Sequence, residues 1–216
     1  MAGRGFFALS LILACVAAVE ASSAAAAPRL PADYLQVPLT AQATSYSCGA
    51  ASLLAILRYW KAYDEDETAL YPLLRTVPKD GTHPARLVET ARHFGLEAQL
   101  REGLDLPDLA EALRRRQTVI LDVQAWPESD ATPNDWSDNW EDGHYVVLIG
   151  MDERFIYVMD PSTHLGYGYI PRAELPSRWH DYETEQGQRR EYKHMGVFIS
   201  GKQSIRAFPV DLQRVR

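Results

Sequence analysis

The stretch HYVVLIGMDERFIYVMDP, residues 144–161, decides the fold class. Two runs rich in β-branched and aromatic residues, 144–151 and 154–161, are separated only by Asp152 and Glu153. That spacing predicts an antiparallel hairpin. Three more β-rich runs accompany it: TVILDVQAW at 118–126, GYGYIP at 166–171 and HMGVFIS at 194–200. Upstream the period changes. Residues 48–62, 66–77, 83–95 and 106–116 repeat apolar residues at helical spacing. In 48–62 the stripe is Leu53, Ile56, Leu57 and Trp60, and Ser45 or Ser47 is placed to cap the start. In 106–116 the core face is Leu106, Leu109, Ala110 and Leu113. Helices in the first half and an antiparallel sheet in the second predict an α+β domain.

The hairpin also pairs two side chains. With the turn centred at 152–153, opposed residues sum to between 304 and 306, and His144 and Asp160 satisfy that sum. They are expected to be cross-strand neighbours with Cβ atoms about 5 Å apart. A carboxylate beside an imidazole fixes its tautomer and stabilises its charged form. On its own, such a pair reads equally well as an ion pair at a strand end.

The chain begins MAGRGFFALSLILACVAAVEASSAAAAPRL. Arg4, an apolar run from Phe6 to Val19 and small residues ending at Ala27 have the form of a signal peptide, so residues 1–27 are expected to be removed on export to a periplasm or the cell exterior. ILAC at 12–15 offers the alternative of a lipoprotein anchored through Cys15. The remaining 189 residues suit one domain, expected over 28–200 with a tail at 201–216. Arg4 and Glu20 leave together, so the net charge of -7 is unchanged. That acidic balance excludes nonspecific nucleic-acid binding.

After such cleavage Cys48 is the one cysteine left. Exported proteins use cysteines mostly in pairs, so this thiol is either a small buried apolar residue or a reactive group. Its place at the start of helix 48–62 favours reactivity, because first-turn amides and the positive end of the helix dipole stabilise a thiolate. A nucleophilic thiol needs a base. Among His83, His93, His144, His164, His180 and His194, only His144 has an expected carboxylate partner. Acyl transfer also needs oxyanion donors. The Cys48 backbone N–H is one, and Gln42, six residues upstream, is a second candidate or an ordinary loop residue.

Gln-x5-Cys-Gly-Ala-Ala before a helix, then GHYVVLIG, then YVMDP, resembles the bacteriocin-leader-processing, or double-glycine, family of papain-like cysteine peptidases. The resemblance runs from about Val37 to His180. It implies a papain-like fold, with Cys48 as nucleophile, His144 as general base and acid, Asp160 as its orienter, and Gln42 in the oxyanion hole. Ser47 precedes the cysteine where exporter-linked members often carry an acid. Those members are fused to a membrane domain and an ATPase, so the chain looks more like stand-alone exported relatives. The implied partner is a peptide or protein substrate. Hydrolysis, amide transfer with the same residues, and a non-enzymatic binding or assembly module on the same fold stay open at this level.

Residues 126–144 carry Trp126, Trp136 and Trp140 with six acids and no base before His144. They are read either as a solvated loop covering a sheet edge or as a rim over the cleft. In the second reading Trp136 and Trp140 bind substrate and the acids attract basic peptides. Calcium-loop spacing is absent, and one cysteine with scattered histidines gives no zinc pattern. No metal or cofactor is expected.

Overall fold

The computed structural model describes residues 28–126, 136–163, 166–185, 187–205 and 211–214. The expected cleavage region 1–27, Cys15 and His164 lie outside them.

Helix α1, Cys48–Tyr59, runs through the middle of the packing. The expected stripe is exceeded: every residue from Gly49 to Leu57 is buried. The cause is cover on several sides, by the central sheet, by α3 (Pro84–His93) and by the extended segment holding Leu35 and Val37. Full burial of Leu53, Leu54, Ile56 and Leu57 contributes about 1.5–3 kcal/mol per side chain relative to exposure. The expected second helix is a 3-10 turn, Glu67–Leu70, running into a single turn α2, Tyr71–Leu74. Helix α4, Leu106–Arg114, opens on a reciprocal capping box between Asp105 and Asp108. Its buried residues are Leu109 and Ala112, whereas Ala110, expected in the core, is exposed.

Seven strands form one sheet in the order β1-β8-β2-β3-β4-β5-β9. The five expected runs become β2 (Thr118–Gln124), β3 (Gly143–Met151), β4 (Phe155–Met159), β5 (Gly166–Pro171) and β8 (Gly196–Ser200). Strand β1 (Glu97–Arg101) adds to one edge against β8, and β9 (Asp211–Arg214) joins β5 in parallel. A one-turn helix α5 (Leu175–Arg178) leads into a separate hairpin, β6 (His180–Glu185) and β7 (Gln188–Lys193). Opposite faces of the sheet feed two cores. Ile120, Val147 and Met159 pack toward α1, while Val119, Leu121, Val146 and Val158 pack on the far side with Leu109 and Trp179.

The central hairpin is antiparallel as expected, but its register is specific. Val147 faces Met159 and Leu148 faces Val158, and a bulge between Leu148 and Gly150 shifts the pairing beyond. Opposed residues near the open end therefore sum to 306. Continued one residue past the last paired positions, that register sets Asp160 opposite Val146 rather than His144, so the two expected neighbours are diagonal.

Candidate active site

Cys48 is a free, half-buried thiol on the first residue of α1. Its helix start is locked to the sheet. The Ser52 hydroxyl donates to the Tyr145 carbonyl at 3.1 Å, and Gly49 permits the close approach. A Cβ on Gly49 would stand 2.8 Å from Thr82 Cβ and 3.0 Å from the Tyr145 ring. Ser47 occupies the N-cap position, but its hydroxyl does not cap. It accepts from Thr44 N–H at 3.0 Å and donates to the Thr44 carbonyl at 3.2 Å, which closes the preceding turn.

That turn is held at both ends. Gln42 N–H donates to the Pro161 carbonyl at 2.9 Å, tying it to the residue after Asp160. Ala43 N–H donates to the buried Glu67 carboxylate at 3.0 Å, and Tyr71 Oη donates to its other oxygen at 2.7 Å. The Gln42 side-chain Nε2 donates to the Thr44 carbonyl at 2.8 Å. That bond uses one of its two hydrogens. Gln42 Oε1 is buried without a partner.

His144 opens β3, one residue after Gly143, and both it and Asp160 are 1% exposed. His144 Nε2 and Asp160 Oδ1 are 2.7 Å apart. The same carboxylate oxygen accepts from Ser162 N–H and Ser162 Oγ, each at 2.8 Å. Asp-Pro-Ser thus folds back as a turn that aims the carboxylate at the ring. The Trp126 indole packs over His144 with ring centroids 4.6 Å apart, from a backbone at φ +49. Trp126 itself is 45% exposed, so it screens the imidazole from water.

Burial works against a charged imidazole. The Asp160 hydrogen bond and the nearby Cys48 sulfur overcome it, and the His144 pKa is raised to about 9. Burial likewise opposes ionisation of Asp160, yet His144 and Ser162 hold its pKa below the usual carboxylate value. The pair therefore rests as imidazolium and carboxylate at neutral pH. His144 Nδ1 is buried with no partner in hydrogen-bond geometry, although the thiol is near enough to favour the charged ring.

A cleft of about 280 Å³ opens beside Cys48, lined among others by Tyr145, Asp122, Asp181 and Trp140. Trp140 lines the cleft, its ring tilted against His180 with centroids 4.2 Å apart. Trp136 does not. It is 2% exposed, lies beneath the Arg178 guanidinium at 4.1 Å and does not line the cleft. The remaining described histidines have structural settings. His83 caps α3 through Nδ1, and His194 stacks on Trp179. Among the described residues no three His, Cys, Asp or Glu are grouped to hold a metal ion.

Several contributors escaped the sequence reading. Glu67 sits in a weak helical run, and its role in holding the Gln42 loop depends on a contact 24 residues away. Ser162 was signalled by Asp-Pro-Ser, a turn sequence. The hairpin β6–β7, which brings Asp181 to the cleft, has polar residues on both faces and so carries no apolar alternation.

The model of the Peptidase_C39 like family matches residues 34–186. No curated protein matches the chain. Among solved structures, a putative C39-like peptidase from Bacillus anthracis superposes with a TM-score of 0.55 at 18% identity, covering 82% of this chain and 98% of that one. The peptidase domain of Streptococcus ComA, a bifunctional ABC transporter involved in quorum sensing, superposes with a TM-score of 0.54 at 18% identity, covering 77% and 99%. The family match spans most of the chain and includes Gln42, Cys48, His144 and Asp160, so the protein belongs to the Peptidase_C39 like family and is a cysteine peptidase of papain-like α+β fold.

Proposed function

We propose that the protein is an exported thiol peptidase that hydrolyses peptide bonds through Cys48, His144 and Asp160. The observation that carries this reading is the buried 2.7 Å His144–Asp160 bond, with the other ring nitrogen left without a partner on the side chain that neighbours the Cys48 sulfur. A first-turn helix position favours the thiolate, and the imidazolium is the matching proton donor.

In this reaction Cys48 Sγ attacks the carbonyl carbon and its electron pair moves to oxygen. The Cys48 N–H, one of the first-turn amides without an intrahelical acceptor, donates to that oxyanion. The second hydrogen on Gln42 Nε2 is the further donor. His144 Nδ1–H protonates the leaving nitrogen as the tetrahedral intermediate collapses to a thioester. The neutral ring then takes a proton from the water that attacks the thioester and keeps it as the tetrahedral intermediate expels the sulfur, which restores the starting pair. Asp160 keeps the ring in the tautomer that presents Nδ1 and offsets the imidazolium charge throughout.

Hydrolysis is tested by incubating a mixed peptide library with the purified protein and with Cys48→Ala. Cleavage by the first and none by the second is the expected result. Cleavage by both removes the thiol mechanism. Export is supported by the form of residues 1–27. Fractionation of expressing cells with N-terminal sequencing tests it: a mature chain starting near Pro28 outside the cytoplasm is expected, and an intact Met1 in the cytoplasm contradicts it.

A further inference from the structure

Two carboxyl groups at the floor of the cleft are used by no step of this chemistry. Asp122 lies on β2 directly opposite Tyr145 on β3, on the face that meets α1. It is 3% exposed, and its Oδ1 has no hydrogen-bond partner. The Tyr145 hydroxyl, on a residue 6% exposed, also has none. Both residues line the cleft next to Cys48. Buried polar groups are almost always paired, and leaving a carboxyl unpaired in such a place is costly. The Tyr145 hydroxyl and Asp181 lie near enough to bear on the Asp122 carboxyl, yet Asp122 Oδ1 and Tyr145 Oη meet no partner in hydrogen-bond geometry, and together they point to a ligand that completes them.

Asp181 reaches the same place from β6. Its Oδ1 accepts from Gln124 Nε2 at 3.3 Å, and its Oδ2 lies 1.9 Å from where a Cβ on Gly143 would be. Only glycine at 143 admits this carboxylate beside the His144 strand. Asp80, Glu141 and Glu183 add three more acids to the cleft wall, and Lys79, the single cation among its lining residues, stands 3.7 Å from Asp80. Glu183 faces Arg190 across the hairpin. The charge of Arg189 acts on Asp181, while no cation is among the influences that set Asp122.

We infer that this cleft binds a cationic side chain of the substrate, lysine or arginine, through Asp122 and Asp181 with the Tyr145 hydroxyl beside them. The inference rests on the peptidase reading for a substrate that presents such a side chain next to the scissile bond. Burial, then the charges of Asp181, Cys48 and Glu183, push Asp122 well above the usual carboxylate value, and burial raises Asp181 to about 6. Both carboxyls are therefore held toward their neutral forms, Asp122 the more strongly. A guanidinium or ammonium supplies the missing donors, and Asp122 ionises by releasing its proton to solvent.

The test reads occupancy separately from cleavage. Alkylation of Cys48 by iodoacetamide is timed in the presence of L-argininamide or L-citrullinamide, which differ in side-chain charge. Wild type is expected to be protected by argininamide at a concentration at least about tenfold lower than by citrullinamide, the scale of a charge-assisted pair. Asp122→Asn and Asp181→Asn are expected to abolish the difference, and the second decides the matter if the first does not fold. Equal protection by both probes in wild type, or a difference retained in both folded variants, overturns the inference. If wild type cleaves no peptide yet discriminates the probes, the peptidase reading fails and the inference stands. If it cleaves peptides without preferring a cationic residue at any position and without discriminating the probes, the reverse holds.

Discussion

Asp160 stands two residues out of cross-strand register with His144, and the 2.7 Å bond between them runs diagonally. Continuing the Val147–Met159 pairing sets Asp160 opposite Val146 and His144 opposite Ser162. A directly opposed pair would need no help from beyond the strand. The diagonal one draws on the turn after Met159, where Ser162 gives two hydrogen bonds to the oxygen that meets the ring. Orientation of the imidazole thus depends on a turn as much as on the sheet.

Asp160→Asn keeps the shape and removes the charge. The ring then loses the partner that holds its tautomer, and kcat is expected to fall on the order of 10²- to 10⁴-fold with KM little changed. Ser162→Ala keeps the backbone bond and loses one hydroxyl bond, worth about 1 kcal/mol, so its kcat falls roughly fivefold. Steady-state kinetics on any cleaved peptide checks both. Equal rates for Asp160→Asn and wild type contradict the assignment.

His144 makes stability depend on pH with a definite sign. Its folded pKa of about 9 lies above the ordinary histidine value of 6.5. A raised pKa contributes stability that is complete below the unfolded value and is lost as pH rises through the folded one. The urea midpoint of wild type should therefore fall between about pH 6.5 and pH 9, and the fall should be missing in His144→Asn. Asp160, with its pKa lowered, adds stability above the ordinary carboxylate value that is lost as pH drops through the folded one. The kcat/KM profile should share the alkaline limb near pH 9, since the leaving nitrogen takes its proton from the imidazolium.

Gln42 lies in a turn held by Glu67 and by the Pro161 carbonyl. Gln42→Ala removes one proposed oxyanion donor without touching either anchor. Loss of such a donor costs about 10²- to 10³-fold in kcat. Glu67→Gln weakens the anchor instead and should lower kcat less while lowering the melting temperature. If Gln42→Ala leaves kcat intact, the Cys48 amide is sufficient.

Much of this was legible in the residues themselves. The hairpin 144–161 announced itself through β-branched runs and a two-residue turn. Cys48 was marked by being unpaired at a helix start. The family was legible because three short motifs occur in order. What stayed hidden has a common physical character. Strand β1 is a polar edge strand whose pairing with β8 depends on contacts a hundred residues away. Trp136 sits among acids that suggest exposure, and its burial beneath Arg178 is a tertiary fact. The register shift at Leu148–Gly150 is a bulge, which no alternation pattern reveals.

Gly49, the residue after Cys48, offers the sharpest test of how closely α1 must approach the His144 strand. Thr82 cannot move freely: it is 2% exposed and its hydroxyl is 2.7 Å from that of Thr76. Tyr145 is fixed by its strand and by Ser52. In Gly49→Ala the new methyl would enter a space that already holds Thr82 Cβ at 2.8 Å. Alanine is the better helix former by about 1 kcal/mol, which in an open helix would stabilise. Overpacking here costs about 1–3 kcal/mol, so the net change is expected to be destabilising. The strain is relieved most cheaply by lifting the first turn of α1 away from β3, which carries Cys48 away from His144. The expected outcome is a modest loss in urea midpoint together with a larger loss in kcat, and a slower reaction of the thiol with iodoacetamide. A more stable variant with unchanged kcat would show that the helix start has room that the 2.8 Å approach denies.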